Sequence, residues 1–279
     1  MNRFDKRRRE ALGEVVPTTG NVPYVKPPPP DPYAMPKVAP EPDEQQPDYL
    51  LRVIDSFARW EMGNDHRSIQ EHGREGGIRE LGDTVFDRFE RGVRVHLAMA
   101  PGAGAACEDG CHWCCFLQRT ALVPEVLRIA QHLRARWDEA RVSALIDRLE
   151  RTLEQITGLD ANDQAKLRVP CALLTDRRCS IYEVRPVSCG QTASTDAKAC
   201  ERNFGKVQLL SVIEPVHYTI GGGIQQGATR ILAMARCKTQ SVELNAGLHV
   251  ALTVPDAEAR WLAGDDVFEK ARVVEDRRN

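Results

Sequence analysis

No stretch of this chain is both long and apolar enough to cross a membrane. Motifs that cradle a phosphate are equally scarce. The run Gly221–Gly223 lacks a P-loop lysine and the Rossmann spacing, so it reads as a turn. There is no S-adenosylmethionine loop, no Ser-His-Asp or paired-carboxylate pattern, and no internal repeat. The N-terminal MNRFDKRRREALGEVVP carries charge but no apolar segment before a cleavage site. The expectation is therefore no secretory signal and a cytoplasmic, reducing environment. The net charge is only −2, so the basic run Lys6-Arg7-Arg8-Arg9 reads as a solvated tail and nucleic acid is an improbable partner.

What the chain does have is cysteine. CEDGCHWCC places Cys107, Cys111, Cys114 and Cys115 within nine residues, and Cys171, Cys179, Cys189 and Cys200 follow. A disulfide framework suits small secreted domains that cannot build a core. With 279 residues, 42% of them hydrophobic, this chain has no such need. Cys237, in ILAMARC, stands apart and reads as a small buried hydrophobe. The other eight sit among Gly, Asp, His and Trp and point to metal.

Positions 107, 111, 114 and 115 would share one face of a helix. Such a helix would separate the outer thiols by roughly 12 Å at about 1.5 Å per residue, too far for one zinc with bonds of about 2.3 Å. Either Gly110 breaks the segment into a loop around one ion, or the thiols serve a larger site. Neighbouring side chains such as Cys114 and Cys115 diverge, which favours a multinuclear or cluster site, or two adjacent sites. His112, between two ligand cysteines, is a lesser candidate and more readily flanks the loop.

With PCALL, then CSIYEVRP and Cys189, the pattern resembles the YkgJ-type cysteine-cluster family of zinc- or iron-chelating proteins. The resemblance covers about 107–200 and implies that Cys107, Cys111, Cys114, Cys115, Cys171, Cys179 and Cys189 are metal ligands. Cys200 is a looser match. Two departures stand out: three residues rather than two fill the first gap, and Gly190 follows Cys189 where arginine is expected. Independently of the family, Arg185 is a fixed cation suited to an anionic thiolate site, where it would lower thiol pKa values. Pro186 fixes a turn after it. Tyr182 either closes the site from water or packs as an ordinary aromatic.

Residues 1–47 hold eleven of the seventeen prolines and the basic run, and read as a disordered tail. A single domain over 48–279 should be mostly α-helical, irregular at a cysteine-lined centre. Helices are expected from 48 to about Trp60 (Leu51, Ile54, Phe57 and Ala58 on one face), and over about 77–99. GNDHRSIQEHGREGG between them, with His66 and His72, reads as a loop. Pro124 opens a helix, another follows over about 138–157, and further segments lie near 222–236, 241–253, 256–263 and 265–274.

Three functions fit. The first is an iron–sulfur or iron centre supporting chemistry on a peptide or protein; the resemblance reaches, more distantly, a flagellin lysine methylase with a similar cysteine cluster. The second is structural zinc in a scaffold or interaction protein without catalysis. The third is a thiol redox or metal-trafficking role for Cys114–Cys115. Soft thiolates suit both zinc and iron–sulfur sites, so the sequence leaves the metal, any enzymatic activity and the protein or peptide partner open.

Overall fold

In the computed structural model the described residues are 34–99, 104–107, 110–204 and 213–274. They belong to one compact unit, Pro32–Asn279. The fold is mostly helical, as the periodicity predicts. The expected tail lies largely outside the described residues. In its described part, 34–45 forms no helix or strand. Val38 is nonetheless buried, and its N–H is donated to His96 Nε2.

The first element, α1 (Gln46–Met99), is a helical hairpin whose backbone breaks at Gly73, at φ +72° and ψ 171°. Only glycine adopts that conformation cheaply. The helical pattern of Val53, Phe57, Ala58 and Trp60 buries one arm, and that of Ile78, Leu81, Val85, Phe86, Phe89 and Val93 the other. Leu51, placed on the buried face by its spacing, is exposed. The polar stretch read as a loop is helical down to the break. Its polar groups find partners on the opposite arm: Arg88 bridges the buried carboxylates of Asp65 and of Glu61 just before the stretch, and Ser68 bonds Glu80. A side chain at Gly77 would collide with Ile69, so the arms turn back tightly.

Two helices follow, α2 (Val123–Arg136) and α3 (Glu139–Ile156), close to expectation. Pro124 occupies the first turn of α2, and Asp138 caps α3 by accepting from Arg141 N–H. Short helices α4 (Ala161–Leu167), α5 (Val187–Gln191) and α6 (Ala197–Arg202) lead to α7 (Pro215–Met234), α8 (Leu244–Thr253) and α9 (Ala257–Leu262). Strands are two residues long. β1 (Thr120–Ala121) pairs antiparallel with β4 (Val242–Glu243), and β2 (Leu174–Thr175) with β3 (Arg178–Cys179).

The glycines read as a turn lie inside α7. Cβ atoms at Gly223 and Gly227 would strike the carbonyls of Ile54 and Ala58. Their absence lets α7 press against the first arm of α1 backbone to backbone, burying Ile220, Ile224, Ala228 and Ile231. Gly221 likewise accommodates Gln191, and Gly190 lies where any side chain would hit Phe89. The short α5 is thus clamped between α7 and the second arm of α1, which fixes the residue before Gly190, Cys189.

Candidate metal centre

The described residues of the first cysteine group, 107 and 110–115, do not form one helix. Gly110 takes φ +89°, and the thiols at 114 and 115 ride on a 3-10 turn, Trp113–Phe116, closed by Cys115 N–H donating to His112 O. The carbonyl of Cys115 accepts from Cys171 N–H at 2.8 Å, which joins the two cysteine groups. Cys107 is held from another side: its Sγ accepts from Ser194 N–H at 3.2 Å, and Ala106 N–H donates to Ser194 O. Cys179 comes from β3 and Cys189 from α5.

These segments surround one cavity of about 110 Å³, lined by Cys107, Cys111, Cys114, Cys115, Cys171, Cys179 and Cys189. Tyr182 and Arg185 line it as well. Cys200 is buried on α6, outside the lining, but close enough to influence Cys107 and Cys111 electrostatically. His112 is off the wall, its Nδ1 on Gly110 O and its ring stacked on Trp113. His66 and His72 do not reach the cavity; His72 pairs with Glu80. Cys237 is buried elsewhere and accepts from Arg74, the packing role its surroundings suggest.

All nine thiols are free. Within the vicinal pair, interaction between the two sulfurs holds the Cys114 thiol down and pushes that of Cys115 up. Elsewhere burial dominates. It raises Cys107, Cys171 and Cys179, takes Cys111 to about 11 and brings Cys189 to about 12. Two guanidiniums oppose this. Arg185 favours the thiolates of Cys114, Cys179 and Cys189, and Arg119 those of Cys114 and Cys189.

Arg185 stacks on Tyr182, 3.7 Å from the ring centroid, and pairs with Glu90 at 3.1 Å. Arg119 is buried and donates to Thr192 Oγ1 at 2.8 Å. Each keeps a buried Nε–H without a hydrogen-bond partner among the described residues. Sequence reasoning missed Arg119, because nothing in its spacing marks it as buried. It also missed Asn245, whose Oδ1 accepts from Ala172 N–H and the Cys171 thiol while its amide donates to buried Glu243. Glu125 was missed too. It is buried, with its carboxylate accepting from Leu122 N–H and Val187 N–H, and so ties the start of α2 to that of α5. Burial lifts its pKa to about 7 against the pull of those two bonds.

The donor set fits a thiophilic metal. Seven soft sulfurs line the wall with buried Arg119 and half-buried Arg185, and no imidazole or carboxylate among the described residues joins them. The thiols are spread round the cavity: among the described residues no three Cys, His, Asp or Glu side chains converge on a single ion position. Protonated thiols are what burial favours here, so a bound cation would have to displace their protons.

Fold and wall together define a helical scaffold around a thiol-rich, metal-chelating site. Residues 106–208 match the family model CxxCxxCC, described as "Putative zinc- or iron-chelating domain". No curated protein and no solved structure matched the chain. Among the described residues, no helix is long and apolar enough to cross a membrane.

Proposed function

We propose that the cavity cysteines, with Cys200 in reserve, hold a multinuclear iron or iron–sulfur centre that faces a substrate. The observation that carries this reading is seven cysteines on the wall of one cavity, more than the four a tetrahedral zinc takes. Structural zinc sites are closed, whereas sites that act on substrates keep an open approach. Tyr182 and Cys107 line this cavity and are exposed, so the wall reaches the surface. When bound, such a centre supplies electron transfer or Lewis acidity.

The chain's own residues do the rest. Arg119 and Arg185 offset thiolate charge from the protein side. Asn245 orients Cys171, and the Glu125 bridge holds α5 and hence Cys189 in register. Tyr182, stacked by Arg185, screens one side of the opening from water. The substrate reading extends to modification of a peptide or protein, as the more distant resemblance to a flagellin lysine methylase implies.

The test is anaerobic purification with elemental analysis, sulfide assay and an absorption spectrum. Iron with inorganic sulfide and visible colour is the expected result. Stoichiometric zinc in a colourless protein would move the site to a structural role.

A further inference from the structure

The cavity mouth carries a cation that the thiols do not use. β2 and β3 are joined by two residues, Asp176 and Arg177, both at positive φ (+49° and +64°). A two-residue hairpin turn of this kind favours Asn-Gly, because glycine alone meets the second position without steric cost. Aspartate tolerates the first position. Arginine at the second has no such excuse, and a long side chain held in the left-handed region is the sort of local strain that collects at binding sites.

Arg177 is exposed and lines the cysteine cavity, yet makes no hydrogen bond or ion pair among the described residues. It differs in this from Arg185, which is committed to Glu90, and from Arg119, committed to Thr192. Its exposure, with its place in the lining, puts it at the rim rather than against the half-buried sulfurs. Among the described residues the cavity lining includes no carboxylate that would neutralise it. A guanidinium fork at such a rim matches a planar or tetrahedral oxyanion in two-point fashion.

We propose that Arg177 is the recognition residue for an oxyanion, a carboxylate or phosphate, on the substrate that enters the cysteine cavity. The inference rests on the reading of that cavity as a substrate-facing metal centre and names the chemistry of what it admits. The hairpin turn sets the guanidinium at the entrance, and the strain of the turn is offset by the ligand contact it makes available.

The experiment is calorimetric titration of the full chain, as purified, with inorganic phosphate and with succinate, using succinamide as the neutral control. Binding of either anion, absent with succinamide and weakened by salt, is expected; whichever arm binds identifies the oxyanion. Arg177→Gly should weaken that affinity by about tenfold or more, the loss of one charge-assisted contact. It should also leave the melting temperature equal or higher, because glycine suits the turn. Arg177→Asn, also tolerant of positive φ, serves as the second variant, and Arg177→Lys should retain part of the affinity. Equal binding by parent and glycine variant, or no anion binding by the parent, overturns the proposal. Metal content measured on the same samples separates the two readings. Anion binding that depends on Arg177 in a metal-free protein would sink the metal centre alone, and a metal-loaded protein indifferent to Arg177 would sink this inference alone.

Discussion

Cys171 donates its backbone N–H to the carbonyl of Cys115, so the second cysteine group is stitched to the first by main chain before any sulfur is considered. The thiols are thereby held in place by hydrogen bonds, a 3-10 turn and a clamped helix. A metal bound there adds its affinity to the stability of that framework.

Cys114→Ser and Cys179→Ser should each lower bound metal and melting temperature together, by roughly 5 °C or more for a chain of this size. Cys237→Ala, outside the cavity, should keep full metal content. Elemental analysis and thermal melts on the three variants decide the matter. Cysteine variants that retain both metal and melting temperature would show that the ligand set lies elsewhere.

Arg185 separates electrostatics from packing. It stacks on Tyr182, approaches Phe86 and pairs with Glu90 while favouring three thiolates. Arg185→Met keeps part of the bulk and loses the charge, so metal retention in a chelator competition should weaken by about 10- to 100-fold. Arg185→Lys should be milder, since the charge remains and the planar fork is lost. If the methionine variant holds its metal as tightly as the parent, the Glu90 pair and the stacking are the whole of its role.

His96 makes the packing of Val38 depend on pH. Its ring is buried, with Nδ1 on the Gly92 carbonyl and Nε2 accepting from Val38 N–H, so the neutral tautomer is the one that fits. Burial lowers its pKa below the ordinary 6.5, the Gly92 bond opposing in part. A depressed histidine contributes stability above its unfolded pKa and loses it as pH falls through that value towards the folded one. Melting temperature should therefore drop between pH 7.5 and 5.5 more steeply for the parent than for His96→Gln. Parallel slopes for the two proteins would remove His96 from the account.

The periodic signals survived translation into structure best. Val126, Ala130 and Leu133, or Leu145 and Leu149, recur at helical intervals inside the expected helices and are buried. The cysteines were legible because their chemistry is rare and their clustering local. Gly221–Gly223 was misread because a glycine run signals a turn and a close helix contact with the same letters; only Gln191 and Ile54, distant in the chain, decide between them. The stretch before Gly73 was misread for a similar reason, since the partner that makes Glu61 and Asp65 tolerable is Arg88 on the other arm. Gly190, an oddity beside the family pattern, is explained by Phe89, against which a larger residue in this position would collide. Arg119 and Asn245 had no local signature, because their work is done across contacts of more than seventy residues.

The clamp on α5 also imposes an order of events. Gly190 seats against Phe89, and Gln191 against Gly221, so the position of Cys189 depends on both the α1 hairpin and α7. The hairpin is a local structure that closes about Gly73, whereas the cavity wall draws on segments from Cys107 through Cys189. Contacts of such long sequence separation close late, because their entropy must be met before they return any stability. Maturation of the centre is thus a step taken by a chain whose scaffold has already formed, and a metal arriving earlier would meet only the scattered thiols of an unfinished wall.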